Sequence, residues 1–523
     1  MANKTLFQSA SGKLLPSTDT VNEAGGRAYR LESRHALAQY AATGCLNTTF
    51  YASDRQQLDN VLALCREVEP LFVAKTAIYA RQRGFMKDLP ALLTSVLASR
   101  DGELLARIFP RVIDRPKMLR NFVQIVRSGV TGRKSLGSRP RRLVRQWLES
   151  RSDERLFTAS VGQSPSLADI VKMVHPKPKT TSREALLGYL IGREVDAGAL
   201  PQVVRDFESF KQSPAEAKVP DVPFQMLTAL ALESRHWVEI ARRAPWQMTR
   251  MNLNTFLRHG VFEHDGLDRI IADRLRDPSQ VRRARVFPYQ LFAAWQSASE
   301  ALPRTVRRAL GTAMEIALAN VPEVAGKVYV LPDISGSMHS PVTGYRRGSS
   351  SAVRCIDVAA LVAAAVLRKN PRAKVIPFSD DVVKAKLNPS DPVMVNAKKL
   401  ASLPSGGTNC SAPLAFLNRK QARGDLVIYV SDNESWVDSQ WGGRGTATLA
   451  EWTRFKHRNR EARMACIDIQ PYAHTQAKER RDILNIGGFS DQVFRLLADF
   501  ARGGTDAGYW VRQIEEIEIE AAA

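Results

Sequence analysis

A short loop after an apolar run constrains the fold more than any other feature of this chain. The loop is Asp333-Ile334-Ser335-Gly336-Ser337, and the run before it, Val328-Tyr329-Val330-Leu331, predicts a buried strand. Ligands of open α/β sheets bind at the carboxyl ends of the strands. The loop therefore places one carboxylate and two hydroxyls where a ligand would bind. All are oxygen donors, which suit a hard divalent cation such as Mg²⁺ better than zinc.

Two later segments offer side chains of the same kind. The segment Ser405-Gly406-Gly407-Thr408-Asn409 is a glycine-rich loop that can present the Thr408 hydroxyl, and the strand-like run from Asp425 to Ser431 leads into Asp432. The three segments, in this order, resemble the metal-ion-dependent adhesion site of von Willebrand factor A domains. The alternative is that Ser335 and Ser337 only cap the next helix, but it does not explain why the other two segments are present.

The resemblance implies a Mg²⁺ site held by carboxylates and hydroxyls alone. Its ligands would be Asp333, Ser335, Ser337, Thr408 and Asp432. Two departures from the A-domain pattern bear on metal affinity. Pro332 precedes Asp333, and because proline cannot donate to a sheet ladder, the strand must end there or become irregular. Asn433-Glu434-Ser435 replaces the glycine that many A domains have, so Glu434 either crowds the metal or accepts a hydrogen bond beside it.

The pattern of apolar residues divides the chain into two parts. Through about residue 320, apolar residues recur at helical spacing, as in Leu58, Val61, Leu62 and Cys65. Short breakers separate these helices, and helix–turn–helix units of about 40 residues predict a HEAT-like solenoid. An irregular helical domain is the alternative.

After about residue 325, short apolar strands alternate with helices. We predict strands over 327–331, 373–378, 426–430 and 464–469 and a helix over 356–367. Strands separated by helices favour a parallel sheet that is covered on both faces. The sequence thus predicts an α-helical HEAT-like domain over residues 1–322 and an α/β, Rossmann-like von Willebrand factor A domain over residues 323–523.

Charge and composition narrow the class of partner. The 523-residue chain has a net charge of +22 and a pI of about 10.0, which favours a polyanion, either nucleic acid or an anionic membrane surface. The first residues lack the apolar core of a signal peptide, and the longest apolar run, 358–367, is too short to cross a bilayer. Five scattered cysteines without CxxC spacing favour reduced thiols. We therefore expect a cytoplasmic protein that binds nucleic acid and no membrane.

The positive charge is concentrated in one stretch. From Arg115 to Leu148 there is no acidic residue, whereas ordinary helix faces mix signs because opposite charges at i,i+4 attract. A soluble basic face without a partner is the alternative. His175 and its neighbours form a second candidate, although a histidine at a helix end can instead interact with the helix dipole. The residues expected to contact RNA are Arg115, Lys117, Arg120, Arg127, Arg133, Lys134, Arg139, Arg141, Arg142, Lys172, His175, Lys177 and Lys179.

Several segments resemble the TROVE-domain family, whose best-known member is the Ro autoantigen, an RNA-binding ring protein. They are His175-Pro176-Lys177-Pro178, residues 245–253, residues 285–291 and the loop from Asp333 to Met338. The resemblance covers nearly the whole chain and implies a closed ring of HEAT-like repeats whose ends the A domain joins. It also implies that small structured RNAs of the Y type lie on the basic outer surface, near His175, and that single-stranded ends of misfolded RNAs enter the ring.

These features together predict a non-catalytic RNA-binding protein of small noncoding ribonucleoproteins that acts in RNA quality control. In the alternative, the chain is a protein-interaction scaffold whose metal captures a carboxylate of a partner such as an exoribonuclease, and RNA binding is incidental. A nuclease is disfavoured, because two-metal catalysis needs several clustered carboxylates and the motif offers only Asp333 and Asp432. The glycine-rich loop 405–408 also lacks the lysine of a phosphate-binding loop.

Overall fold

The computed structural model divides into two compact units that are interleaved along the chain. The structure describes residues 15–43, 46–47, 49, 51–162, 164–284, 288–318, 321, 323–324, 326–342, 344–345, 353–436, 445–470, 472–488, 491–503 and 508–520. The helical unit comprises the described residues of 68–275, 298–308 and 517–520, and the α/β unit those of 15–67, 276–297 and 309–516. The predicted domains, 1–322 and 323–523, follow sequence order instead, and their boundary stays a prediction.

Consecutive helices of the helical unit pack on one another. Helix Asp88–Arg100 contacts Pro70–Gln82, Gly102–Val112 and Pro116–Ser128, so neighbours in sequence are neighbours in space, as in repeat proteins. The helices of this unit are Pro70–Gln82, Asp88–Arg100, Gly102–Val112, Pro116–Ser128, Ser138–Glu149, Asp153–Thr158, Leu167–Val174, Thr181–Leu190, Gln202–Gln212, Ser234–Arg243, Trp246–Met251, Leu253–Arg258 and Leu267–Arg276, the last of which ends at the unit boundary.

Helix Gly102–Val112 shows how the sequence specifies these elements. The Asp101 side chain accepts hydrogen bonds from the backbone N–H groups of Glu103 and Leu104, which caps the first turn. Its buried residues recur every three or four positions and are Leu104, Leu105, Ile108, Phe109 and Val112. Burial of each large apolar side chain contributes roughly 1.5–3 kcal/mol, so this face holds the helix in the stack.

Arginines of the helical unit bond the carboxyl ends of helices that lie earlier in the chain. Arg133 donates to the Ala98 carbonyl, and Arg274 donates to the Ala241 carbonyl. Both carbonyls lie in the last turn of a helix, where backbone acceptors lack an intrahelical partner. The two partners of these bonds lie 35 and 33 residues apart in the chain. This spacing is shorter than the predicted helix–turn–helix unit of about 40 residues. Part of the positive charge therefore stabilises helix ends.

The α/β unit is built on a parallel sheet. The strands of the described chain are β1 Thr20–Val21, β2 Arg27–Arg30, β3 Val328–Pro332, β4 Lys374–Val375, β5 Leu426–Ser431, β6 Arg463–Asp468, β7 His474–Thr475 and β8 Ile483–Gly487. The parallel sheet has the order β4-β3-β5-β6-β8, with Val330 paired to Ile428 and Tyr429 to Cys466. Its core includes Leu331, Val427 and Met464.

Helices cover this sheet. Helix Cys355–Lys369 contacts β3 and β5 and is buried from Cys355 to Leu367, as the apolar run 356–367 predicts. The other helices with residues in this unit are Ser33–Thr43, Asp54–Glu67, Pro278–Ala284, Pro288–Ser297, Arg304–Ala317, Val393–Ala401, Ala412–Arg419, Ala447–Arg458, Asp491–Ala501 and Tyr509–Glu515.

One strand is shorter than the sequence predicts. β4 covers Lys374–Val375 instead of 373–378, although Ile376 N donates to the Val330 carbonyl at 2.8 Å and Phe378 N to the Pro332 carbonyl at 3.1 Å. Pro377 lies between these donors and has no N–H, which an edge strand tolerates. Pro332 is the last residue of β3, as the sequence predicts. The regular strand therefore ends at Pro332, although Asp333 still forms a bridge to Phe378.

The N-terminal segment belongs to the α/β unit. β1, β2 and β7 form a second sheet, in which Tyr29 pairs with Thr475. Helix Ser33–Thr43 packs on β8 and on helix Tyr509–Glu515. No sequence pattern indicated this sheet, because each of its strands has only two or four residues.

Candidate metal centre

The Asp333 loop lies at the carboxyl edge of the parallel sheet. Asp333 N donates to the Val430 carbonyl of β5, and Ile334 N donates to the Phe378 carbonyl, both at 2.9 Å. The Asp333 carboxylate accepts a hydrogen bond from Ser335 N at 2.8 Å, which closes a tight turn. These bonds fix the loop between β4 and β5.

The side chains of the loop meet Asp432. The Ser335 and Ser337 hydroxyl oxygens are 3.2 Å apart, and the charge of Asp432 acts on the Asp333 carboxylate of the same loop. Ser431, which the sequence interpretation missed, donates its hydroxyl to Asp333 Oδ2 at 2.6 Å. All of these side chains are buried. The structure thus gathers two carboxylates and three hydroxyls of adjacent strand ends in one place.

The glycine-rich loop packs on the Asp333 loop. Gly336 N donates to the Gly406 carbonyl at 2.9 Å, and Gly407 N donates to Asp380 Oδ2 at 2.7 Å. A Cβ atom on Gly407 would lie 2.4 Å from the Asp380 carboxylate, so the approach requires glycine. Thr408 follows directly and is 3% exposed. The third predicted segment therefore borders the site, as the sequence predicts.

Two buried carboxylates face each other here. Burial raises the pKa of Asp333 above its usual range and the charge of Asp432 raises it further, while hydrogen bonds from Ser431 and Ser335 lower it. Burial also raises the pKa of Asp432. A divalent cation would offset both the lost hydration and the mutual repulsion of such a pair. The residues present therefore fit a hard cation.

Hydroxyls are essential to this donor set. In the part of the chain that the structure describes, no three His, Cys, Asp or Glu side chains form a group that could hold a metal. Glu434 and Asp468 are also buried, and both are close enough to Asp432 for its charge to raise their pKa values, after the larger effect of burial. They surround the predicted ligands without forming a carboxylate cluster of their own.

Glu434 holds the N-terminal turn. Its Oε2 accepts hydrogen bonds from Glu23 N at 2.8 Å and Ala24 N at 3.3 Å. Asn22 Nδ2 donates to the Ser435 carbonyl at 2.9 Å on the same loop. The Oε1 atom of Glu434 lies 3.5 Å from His474 Nε2. The loop after Asp432 is thus fixed by a segment 411 residues earlier in the chain, a contact that local sequence patterns do not reveal.

His474 makes the stability of this region depend on pH. Burial lowers the pKa of His474 to about 4, below the unfolded value of about 6.5. Burial also raises the pKa of the neighbouring Glu434 above its usual range, which disfavours a charged pair between the two side chains. Neutral His474 therefore contributes stability that is complete above about pH 6.5 and is lost as the pH falls toward 4.

We expect the unfolding free energy to fall by up to about 3 kcal/mol across this window. Urea unfolding at a series of pH values measures the loss. In His474→Gln the part of the loss that is due to this residue should disappear, and an unchanged pH dependence in that variant would contradict the assignment.

Most residues expected to contact RNA are exposed on the helical unit. They are Arg115, Lys117, Arg127, Lys134, Arg139, Arg142, Lys172, His175, Lys177 and Lys179. Helix Leu167–Val174 contacts both Pro116–Ser128 and Ser138–Glu149, which brings the first basic segment beside the second. Arg127 and Lys172 both lower the pKa of Asp169, although its hydrogen bonds with Ser166 have the larger effect. The two basic segments thus share one surface.

Other predicted residues already serve the fold. Arg120 donates to the Ala159 carbonyl at 3.3 Å and Arg145 to the Val174 carbonyl at 3.0 Å. Arg133 donates to a helix end as described above, and Arg141 is half-buried. His175 occupies the left-handed position after helix Leu167–Val174 with φ of 49°, so it ends that helix and is exposed there. RNA contacts at these residues stay predictions.

Comparison with known proteins decides the family of the α/β unit. Residues 327–501 match the family model described as the Ro60 vWA domain. They form a vWA domain of the Ro60 type. RNA-binding protein RO60 of Deinococcus radiodurans is 25% identical over 528 aligned residues, which cover 92% of this chain and 95% of the relative. RNA-binding protein RO60 of Caenorhabditis elegans is 22% identical over 269 residues, 49% of this chain and 40% of that protein.

The resemblance extends to the fold. The crystal structure of the Deinococcus radiodurans RO (RSR) protein has a TM-score of 0.63 at 20% identity and covers 91% of this chain and all of that chain. The recognition of a Ro-type protein and the predicted fold class, helical repeats with a vWA domain, are thereby confirmed. Of the segments that carried the resemblance, 285–291 lies partly outside the described residues, at 285–287. In the described chain, no helix combines the length and apolarity needed to span a membrane.

Proposed function

We propose that this chain is a non-catalytic RNA-binding protein of small noncoding ribonucleoproteins. Structured RNA of the Y type binds the exposed basic surface of the helical unit, and single-stranded ends of misfolded RNA bind elsewhere on that unit, in cytoplasmic RNA quality control. The continuous basic surface on helices Pro116–Ser128, Ser138–Glu149 and Leu167–Val174 carries the proposal. The names of the relatives, RNA-binding protein RO60, support it.

The proposed contacts are mainly to phosphates. The exposed side chains are lysines and arginines, which neutralise phosphates and release counterions. Aromatic side chains that could stack on bases are absent from the exposed large hydrophobic residues of this surface, within the described residues. The surface therefore suits the shape and charge of a folded RNA more than its base sequence.

RNA affinity is expected to fall steeply with salt. If six or more phosphates are contacted, the dissociation constant should rise about 10³-fold or more between about 50 and 200 mM salt. Electrophoretic mobility shift or fluorescence anisotropy with a small hairpin RNA measures this dependence. A dissociation constant that does not change with salt would rule out this mode of binding.

A second function is favoured by the buried Asp333–Asp432 pair. We propose that the site binds Mg²⁺ and that the cation captures an Asp or Glu carboxylate of a protein partner, such as an exoribonuclease. Asp333, Asp432, Ser335, Ser337 and Thr408 would hold the cation, which would supply a positive charge for the incoming carboxylate. The two functions use different units and are compatible with each other.

A further inference from the structure

Two arginines of helix Gly102–Val112 hold residues 517–520, which we call the C-terminal strap and which belong to the helical unit. The accepting backbone carbonyls are those of Glu518 for Arg111, at 2.7 Å, and of Ile519 and Glu520 for Arg107, the latter at 2.7 Å. We infer that Arg107 and Arg111 form a phosphate-binding site that the strap occupies until RNA displaces it. The inference rests on the proposed binding of RNA to the helical unit.

A phosphate is a stronger partner for these arginines than the strap is. The strap offers them neutral carbonyls, whereas hydrogen bonds between a guanidinium and a phosphate are charge-assisted and roughly twice as strong. The planar fork of arginine also matches two phosphate oxygens at once. Arg107 and Arg111 lie at i and i+4, which places them on one face of the helix and about 6 Å apart along its axis. The pair can therefore exchange the strap for phosphates of one RNA strand.

The arginine pair borders the basic surface proposed for RNA. Helix Gly102–Val112 packs on helix Ser138–Glu149. Arg139 of the second helix lies so close to Gly102 that a Cβ atom on this glycine would collide with the Arg139 guanidinium. Arg139 is exposed and belongs to the basic surface, and Arg107 lies about 7.5 Å beyond Gly102 along the helix axis. An RNA that contacts Arg139 is therefore close to the strap.

The strap brings negative charge to this place. Glu518 and Glu520 are exposed, whereas Ile517 is buried and anchors the strap. Exposed carboxylates beside a phosphate-binding site repel RNA. Because residues 517–520 form neither helix nor strand, the strap can leave without the loss of any secondary structure. It therefore competes with RNA through its carbonyls, which occupy the arginines, and through its carboxylates, which repel phosphates.

Deletion of the strap should strengthen RNA binding. A stop codon after Glu516 makes two phosphate contacts available and removes two carboxylates, so the affinity for a small hairpin RNA should rise about tenfold at about 0.1 M salt. The slope of log affinity against log salt should steepen by about 1.5 to 2. Fluorescence anisotropy over a salt series measures both. The control Glu515→Gln, Glu516→Gln removes the same charge but keeps the strap, and it should change the affinity less than about twofold.

Substitution of the arginines separates a phosphate-binding site from a general charge effect. In the shortened protein, Arg107→Gln with Arg111→Gln should abolish the gain of about tenfold. In the full-length chain the same pair should change the affinity less than about threefold, because the strap already occupies these side chains. Unchanged RNA affinity after deletion of the strap would overturn the inference, and so would an equal gain with and without the two arginines.

Proteolysis of the wild-type protein tests displacement without any variant. A glutamate-specific protease cuts after Glu518 once the strap is released, and mass spectrometry follows the product. Because RNA and strap exclude each other, saturating hairpin RNA should speed this cut about tenfold. An unchanged or slower cut would show that the strap stays bound and would overturn the inference while the proposed function stands. Absence of salt-dependent binding of the hairpin RNA by the wild-type protein would overturn both.

Discussion

Asp333→Asn is expected to abolish Mg²⁺ binding and yet to stabilise the cation-free protein. Asparagine keeps the shape and the oxygen that accepts Ser335 N, but it removes one of the two buried carboxylates among the expected ligands. Loss of a charged ligand should weaken Mg²⁺ binding at least about 100-fold, because affinity for hard cations depends on ligand charge. In the absence of cation, relief of the repulsion from Asp432 should raise the unfolding free energy by about 1–2 kcal/mol.

The sign of the stability change follows from the raised pKa of Asp333. A group whose pKa is higher in the folded state contributes most stability below its unfolded value of about 4, and that contribution is lost as the pH rises through the folded pKa. At neutral pH the carboxylate therefore costs stability, and asparagine removes that cost. Urea unfolding in the presence of a chelator and calorimetric titration with Mg²⁺ measure the two effects.

Asp499→Asn is the matched control. Asp499 lies in the same unit, its side chain is 50% exposed, and its removal should change neither Mg²⁺ affinity nor stability by more than about 0.5 kcal/mol. If Asp333→Asn retains wild-type Mg²⁺ affinity, the loop 333–337 is not the cation site. If it destabilises the cation-free protein, the two carboxylates do not repel each other as inferred.

The triple variant Arg127→Gln, Lys172→Gln, Lys177→Gln is expected to lose most of its RNA affinity without losing stability. These side chains are exposed on the shared basic surface of the helical unit. Removal of about three phosphate contacts should weaken binding about 100-fold at about 0.1 M salt and reduce the slope of log affinity against log salt by about 2 to 3. Fluorescence anisotropy with a small hairpin RNA over a salt series measures both quantities.

A second triple variant controls for net charge. Arg242→Gln, Arg258→Gln and Arg269→Gln remove the same charge from exposed residues of later helices in the helical unit. If binding depends on the proposed surface, this control should lose much less affinity. Equal losses in the two variants would show that only net charge matters. Arg133 and Arg145 are unsuitable for such a test, because their substitution removes hydrogen bonds to helix ends.

Much of the proposed cation site could be predicted from sequence because its residues lie in local patterns. Asp333 and Asp432 each follow an apolar strand, and parallel strands place their carboxyl ends at one edge of a sheet. Ser431 could have been suspected from its position at the end of β5. The length of β4 could not have been predicted from the sequence, since hydrogen bonds continue on both sides of Pro377 even though the regular strand ends before it.

Local sequence patterns were enough to predict the vWA fold, the order of the five expected ligands and the concentration of positive charge, because each depends on neighbours in the chain. Sequence patterns did not show which charged side chains stabilise the fold and which are exposed, because this depends on how the helices pack. Arg145 and Lys172 are both basic residues of basic segments, but Arg145 donates to the Val174 carbonyl and Lys172 is exposed. Tertiary structure also brought Glu23 and Ala24 to Glu434. Such contacts depend on how distant segments pack, which no local periodicity encodes.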